Sequence, residues 1–203
     1  PVLPSNYVLI NGYIFGPNVN LSNVDLSNVD LSNVDLTGLK SVSVSGDPVL
    51  PSNYALINGY IVGPGANLSG ADLTGADLSN SDLTGVNLSN ADLTGANLNG
   101  SNLTSANLSN ADLSNADLRD TDLTAAYPIG AKLSNTDLTG ADLSGSSFKS
   151  ANLSNANLSN ADLSNADLSN ADLAGLTSGS LHKASGAGHA LPSNYALKNG
   201  YIV

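Results

Sequence analysis

The only abundant charged chemistry in this chain is carboxylate. All 17 acidic residues are aspartate, against six basic ones, for a net charge of -11. Asp72, Asp92 and Asp112 fall twenty residues apart, and Asp82, Asp122, Asp142 and Asp162 share a second series with the same step, Asn102 filling its gap. A chain that wound once per twenty residues would stack these groups in columns, about 4.8 Å apart. Carboxylates at that separation repel by roughly 1 kcal/mol in water, so the columns would attract cations or a partner's amines. The plainer reading is a solvated acidic face that keeps a repetitive surface soluble, and no metal ligand is assigned.

Other reactive groups are sparse. The chain has no Cys, Glu, Met or Trp, and its two histidines, His182 and His189, lie in the Ser/Gly-rich stretch "SLHKASGAGHA". No nucleophile–base pair, phosphate-cradling glycine loop or metal quartet is spelled anywhere. Ser81, Ser101 and Thr121, also twenty apart, are expected to form an internal hydroxyl ladder rather than to supply a nucleophile. We therefore expect no catalytic residue, no cofactor and no enzyme. The negative charge argues against direct binding to nucleic acid or anionic membranes. No run of eighteen apolar residues offers a membrane span.

The elements that would place the aspartates follow from a strict period. From Leu68 to Leu173 a large residue recurs every fifth position through twenty-two slots, all Leu except Pro128 and Phe148. A small residue stands two before each slot, Asp or Asn usually one before, and Ser-Asn or Thr-Gly usually after. A shorter tract, Val19–Leu36, has four slots with Val as the small residue. On an α-helix a step of five rotates each Leu by about 140° and smears the apolar face. In an unbroken strand it alternates faces. The chain must turn once per repeat: a three-residue strand with the small residue and Leu inward, then a corner of turn-tolerant residues. Four corners close a coil of twenty residues. Leu68, Leu73, Leu78, Leu83, Leu88, Leu93, Leu98, Phe148 and Leu173 then belong to the core ladder, and Asp72, Asp92, Asp112, Asp82, Asp122, Asp142 and Asp162 to the outer face.

On these residues, "SNADLSNADLSNADL" (Ser159–Leu173) above all, the chain resembles the pentapeptide-repeat family, with its motif A(D/N)LXX. The resemblance implies an all-β fold, a right-handed four-sided parallel β-helix, over about 130 residues. It also brings a possible mode of action, since some members protect DNA gyrase by imitating duplex DNA. This chain departs from that group in its repeated non-repeat segments and its second tract.

Those segments are three copies of one phrase. "VLPSNYVLINGYIFGP", "VLPSNYALINGYIVGP" and "ALPSNYALKNGYIV" each set two short apolar runs around Asn-Gly, the strongest short-range signal for a type I′ hairpin. The rival reading makes Leu56 and Ile61, five apart, the first slots of the solenoid. The organisation expected is a cap or joint at 1–18, a short repeat tract at 19–39, a connector at 40–49, a second cap at 50–65, the main β-helix at 66–176, a connector at 177–190 and a third, truncated cap at 191–203. The third copy stops at Val203, before its Gly-Pro. Either the chain is an excerpt of a longer tandem array, or that end meets a neighbouring subunit through Tyr7, Tyr13, Tyr195, Leu197, Tyr201 and Ile202. The expected function is structural: a head-to-tail building block of a bacterial surface or extracellular filament, sheath or spacer, its partner being itself. The alternative is an acidic, cytoplasmic binding module acting on a type II topoisomerase.

Overall fold

The computed structural model describes residues 3–179, 191–199 and 201–203. His182, His189, Gly200 and most of the second expected connector lie outside the described residues.

One repeat shows how five residues make a wall and a corner. In Ala71-Asp72-Leu73-Thr74-Gly75, Ala71 and Leu73 are buried and Asp72 points out. The amide of Ala76 donates to the Leu73 carbonyl at 3.0 Å, closing the turn. Gly75 takes φ +62°, a left-handed conformation that glycine and asparagine enter most readily. The equivalent residue is Asn90, Asn110, Asn155 or another Asn or Gly in most repeats, each with positive φ. The Ser-Asn and Thr-Gly spelling is therefore a corner specification.

Adjacent coils are joined through the outward residue. The Asp92 amide donates to the Ala71 carbonyl at 2.9 Å, and the Leu73 amide donates to the Asp92 carbonyl at 2.7 Å. Repeated each coil, this gives parallel ladders such as Asp72–Asp92–Asp112–Lys132–Asn152–Asp172. Four ladders make a four-sided parallel β-helix. Each interior Leu contributes about 1.5–3 kcal/mol by burial, while ordering one backbone residue costs about 1–2, so a coil is stable only in its stack. One rung is missing within the main tract. Pro128 is buried in a Leu slot but has no N–H to donate to the Ser147 carbonyl, and the ladder Asn67–Asn87–Asn107–Tyr127 is not bridged on to Ser147.

The three phrases are antiparallel hairpins: β1 (Val8–Ile10) with β2 (Tyr13–Phe15), β3 (Ala55–Ile57) with β4 (Tyr60–Val62), and β5 (Leu197–Lys198) with β6 (Tyr201–Ile202). Leu56 pairs across the hairpin with Ile61, so these two are not solenoid slots. Asn11, Gly12, Asn58 and Gly59 all have positive φ, as a type I′ turn requires.

Residues 40–49 differ from the expected connector. Lys40 pairs with Asn20, Ser45 with Asp25 and Val49 with Asp30, and Leu39, Ser41 and Val44 are buried. The five-residue count continues through Ser45 although Leu no longer marks it: Leu39 and Val44 occupy the small-residue position and Ser41 a Leu slot. It then drops one residue, since Val49 and not the next residue pairs with Asp30. Lys40 also pairs with Asn67. One ladder thus runs through the β3–β4 joint, while the hairpin lies between the two tracts on the other sides. Replacing Pro128→Leu should restore the missing rung and stabilise the chain by about 1 kcal/mol, with a protected amide at position 128 in hydrogen exchange. An unchanged melting temperature and a fast-exchanging amide would contradict this account of the gap.

Candidate functional site

The outward Asp and Asn side chains are tied to their own corners. Asp72 Oδ1 accepts the Thr74 amide at 3.1 Å, Asp82 that of Thr84 at 3.1 Å, Asp92 that of Thr94 at 2.9 Å, Asp112 that of Ser114 at 3.1 Å. Asp122, Asp142 and Asp162 do the same with the amides of Thr124, Ser144 and Ser164. The residue two positions after the aspartate is the first of the corner, so each carboxylate staples wall to turn.

A hydrogen bond donated to a carboxylate favours its charged form. Hydrogen bonds from the Ser or Thr two residues on hold Asp25, Asp30, Asp77, Asp92 and Asp167 below the ordinary carboxylate range. At Asp112 desolvation pushes upward, and bonds from Ser114 and Lys132 outweigh it. Arg119 lowers Asp117 through its side-chain hydrogen bond. Lys132 Nζ reaches Asp112 at 2.9 Å, and Arg119 pairs with Asp117 at 2.5 Å and approaches Asp137 at 4.0 Å. Both cations are exposed, so solvent screening leaves these pairs little weight in stability. They interrupt two acidic sides. The side carrying Asp82, Asn102, Asp122, Asp142 and Asp162 has no basic residue in its ladder. Among the described residues no three His or Asp side chains converge as a metal would require.

The interior hydroxyls do not bond to one another as the expected ladder would. Thr121 Oγ1 donates to the Leu98 carbonyl at 2.9 Å, Thr136 Oγ1 to Leu113 at 3.1 Å and Ser146 Oγ to Leu143 at 2.5 Å. Ser101 Oγ is buried without a partner.

The joints are the other distinctive construction. Tyr54 Oη donates to the Pro64 carbonyl at 2.6 Å, and Tyr7 Oη to Pro17 at 2.9 Å. The Tyr54 ring lies so close over Gly63 that a Cβ there would overlap it, and Tyr7 covers Gly16 in the same way. The Ile61 amide donates to Ser41 Oγ at 2.8 Å, and the Ile202 amide to Ser178 Oγ at 3.2 Å. Beside the β3–β4 hairpin a cleft of about 340 Å³ opens between Tyr54, Asn80 and Asp82, where the hairpin interrupts the ladders.

Leu68, Leu73, Leu78, Leu83, Leu88, Leu93, Leu98, Phe148 and Leu173 all lie in one continuous core. Of the residues named for assembly, Tyr7 is engaged within its own joint, and Tyr195 and Ile202 pack against the main tract. Tyr13 and Tyr201 are exposed. Leu197 pairs with Ile202 in the third hairpin. Sequence reasoning passed over Ser41, Ser178, Leu9 and Ile14. Aligning the three phrases with the tract ends "DLTGLKS" and "DLAGLTS" would have found them.

A rod of four-sided coils with outward Asp and Asn and inward Leu and Ala defines the class as a β-solenoid. The family model for pentapeptide repeats matches in eight copies, over residues 17–39 and, in overlapping segments, 65–176. The chain belongs to the pentapeptide repeat family, and its fold is the right-handed quadrilateral β-helix. It is similar to a trypsin-treated form of QnrB1, a plasmid-mediated fluoroquinolone resistance protein, at 22% identity and TM-score 0.51 over 79% of this chain and 83% of that one. HetL, involved in heterocyst differentiation regulation in the cyanobacterium Nostoc sp. strain PCC 7120, is 27% identical over 79% and 85%, with TM-score 0.32. A pentapeptide repeat protein of the cyanobacterium Cyanothece 51142 is 26% identical over 86% and 88%, with TM-score 0.24. A comparison with curated proteins found no match.

Two measurements check these interactions. Folding holds Asp25, Asp30, Asp77, Asp92, Asp112, Asp117 and Asp167 below the usual value near 3.9, so their contribution is complete above that value and is lost as pH falls through the lower folded values. The melting temperature should be flat from neutrality to about pH 5 and fall below about pH 4. A rise on acidification would mean that relief of repulsion between stacked carboxylates dominates instead. Ser101→Ala removes a buried unpaired hydroxyl and should stabilise the chain by about 1 kcal/mol; destabilisation would show that the hydroxyl has a partner.

Proposed function

We propose that the chain is a non-enzymatic structural protein, a rod of β-solenoid blocks joined by hairpins and assembling end to end into a filament, sheath or spacer. One observation carries this reading. The β3–β4 hairpin is held between two solenoid tracts, with Ile61 in the core of the first and Val62 in that of the second, while the ladder Asn20–Lys40–Asn67–Asn87 crosses the joint. A hairpin of this sequence can therefore weld one block to the next, and the chain holds two further copies. A place outside the cell or at its surface belongs to the same reading and rests on the low-complexity repeat style alone.

Negative-stain electron microscopy of the purified chain over a concentration series tests it. Rods a few nanometres wide that lengthen with concentration are expected; single short rods at every concentration would count against assembly. A second reading, an acidic face offered to a type II topoisomerase, is favoured only by the side carrying Asp82, Asp122, Asp142 and Asp162, whose ladder contains no basic residue. Protection or inhibition of DNA gyrase in a supercoiling assay, lost on replacing these four with Asn, would support it.

A further inference from the structure

The end-to-end reading leaves open which surface meets which, and the following inference rests on that reading. Strand residues alternate between faces, so each hairpin has two. In the β3–β4 hairpin the cross-strand pair Leu56–Ile61 packs on the first tract, whereas Ile57, Tyr60 and Val62 pack on the main one. The third hairpin meets the end of the main tract as the second meets the end of the first: Ile202 stands in the place of Ile61, Ser178 in that of Ser41, Tyr195 in that of Tyr54. The first hairpin carries the same pair, Leu9–Ile14, but here Leu9 is 64% and Ile14 47% exposed, against 0% for Ile61.

We propose that the Leu9–Ile14 face is an interaction surface for a second copy of this chain, seated on that copy's Leu176–Ser178 end in place of its C-terminal hairpin. The occupant is specified by the internal joint, because Asp172–Ser178 (DLAGLTS) nearly repeats Asp35–Ser41 (DLTGLKS), the end on which the equivalent face of the second hairpin is buried. The C-terminal hairpin then acts as an intramolecular plug. Its opposite face fits that role: exposed Lys198 stands where the other two hairpins have Ile10 and Ile57, and a charge there disfavours stacking another block. An incoming unit also brings bonds. Across the internal joint the Gly38 amide donates to Gly65 and the Asn67 amide to Leu39, both at 2.8 Å; after the first hairpin the corresponding residues are Asn18 and Asn20. Against this, the plug is covalently tethered, with an effective concentration on the order of millimolar. Exchange therefore sets a threshold for association.

The test deletes residues 191–203 and follows oligomer size by sedimentation velocity and electron microscopy, with and without Ile14→Asp. Deletion should lower the concentration at which end-to-end oligomers appear by about tenfold or more, and Ile14→Asp in that background should return single rods. Ile202→Asp in the full chain, which unseats the plug without removing it, should act like the deletion and covers the case of a truncated chain that folds poorly. Single rods from both unplugged variants, or oligomers indifferent to Ile14→Asp, would overturn the proposal. Filaments of the intact chain that survive Ile14→Asp would leave the structural reading standing and remove only this contact.

Discussion

Everything in this molecule depends on turning the backbone through one corner every five residues. The corner needs a residue with positive φ, and Asn or Gly supplies it in most repeats. It is held on one side by the turn bond to the preceding Leu carbonyl and on the other by the Asp or Asn staple. With the corner fixed, alternation along a three-residue wall sends Ala and Leu inward and Asp outward, and the amides face the neighbouring coil. The acidic surface is therefore a by-product of the turn chemistry as much as a feature of its own. Asn serves equally as a staple, as at Asn87 and Asn107, and relieves the charge where Asp would stack on Asp.

A stack built this way has no internal reason to stop. Each end exposes a layer of Leu and Ala and a set of unpaired ladder groups, which an extended edge would leave open to any other strand. The hairpins deal with the ends by crossing the tract and closing its core with one aliphatic side chain each, Ile61 in the first tract and Ile202 against the second. They differ from a simple lid in having a second usable face. In the β3–β4 hairpin both faces are covered, and the outcome is a joint.

The solenoid was legible because burial, corner and ladder all repeat on the same five-residue count, so each residue type reported its own position. The hairpins were legible from Asn-Gly flanked by apolar runs. Residues 40–49 were misread because Ser41 and Gly46 stand where Leu would, and because the count then drops one residue, Asp30 pairing with Val49 rather than with the residue twenty on. The staples were in view as Asp or Asn two residues before Ser or Thr, yet solvated aspartate accounts for the same letters. Which hairpin face is covered could not be read locally. Leu9–Ile14 and Leu56–Ile61 have the same residues, and what covers the second pair is the first tract and not anything within the hairpin itself.

The number of repeats also sets a direction. Ser41 lies four steps after Leu21, and its neighbour Lys40 returns to the ladder of Asn20. Ser178 lies twenty-two steps after Leu68, and its neighbour Thr177 falls on the ladder of Asp77, Asn97, Asp117, Asp137 and Asn157 rather than that of Asn67. Twenty-two exceeds a multiple of four by two, so the third hairpin is anchored on the side opposite the second. Adding or removing a single pentapeptide would swing that anchor by a quarter turn while lengthening or shortening the rod by little more than 1 Å. Repeat number thus works as an angular index, and tracts of unequal length can point successive joints to chosen sides of the rod without changing a residue in the joints themselves.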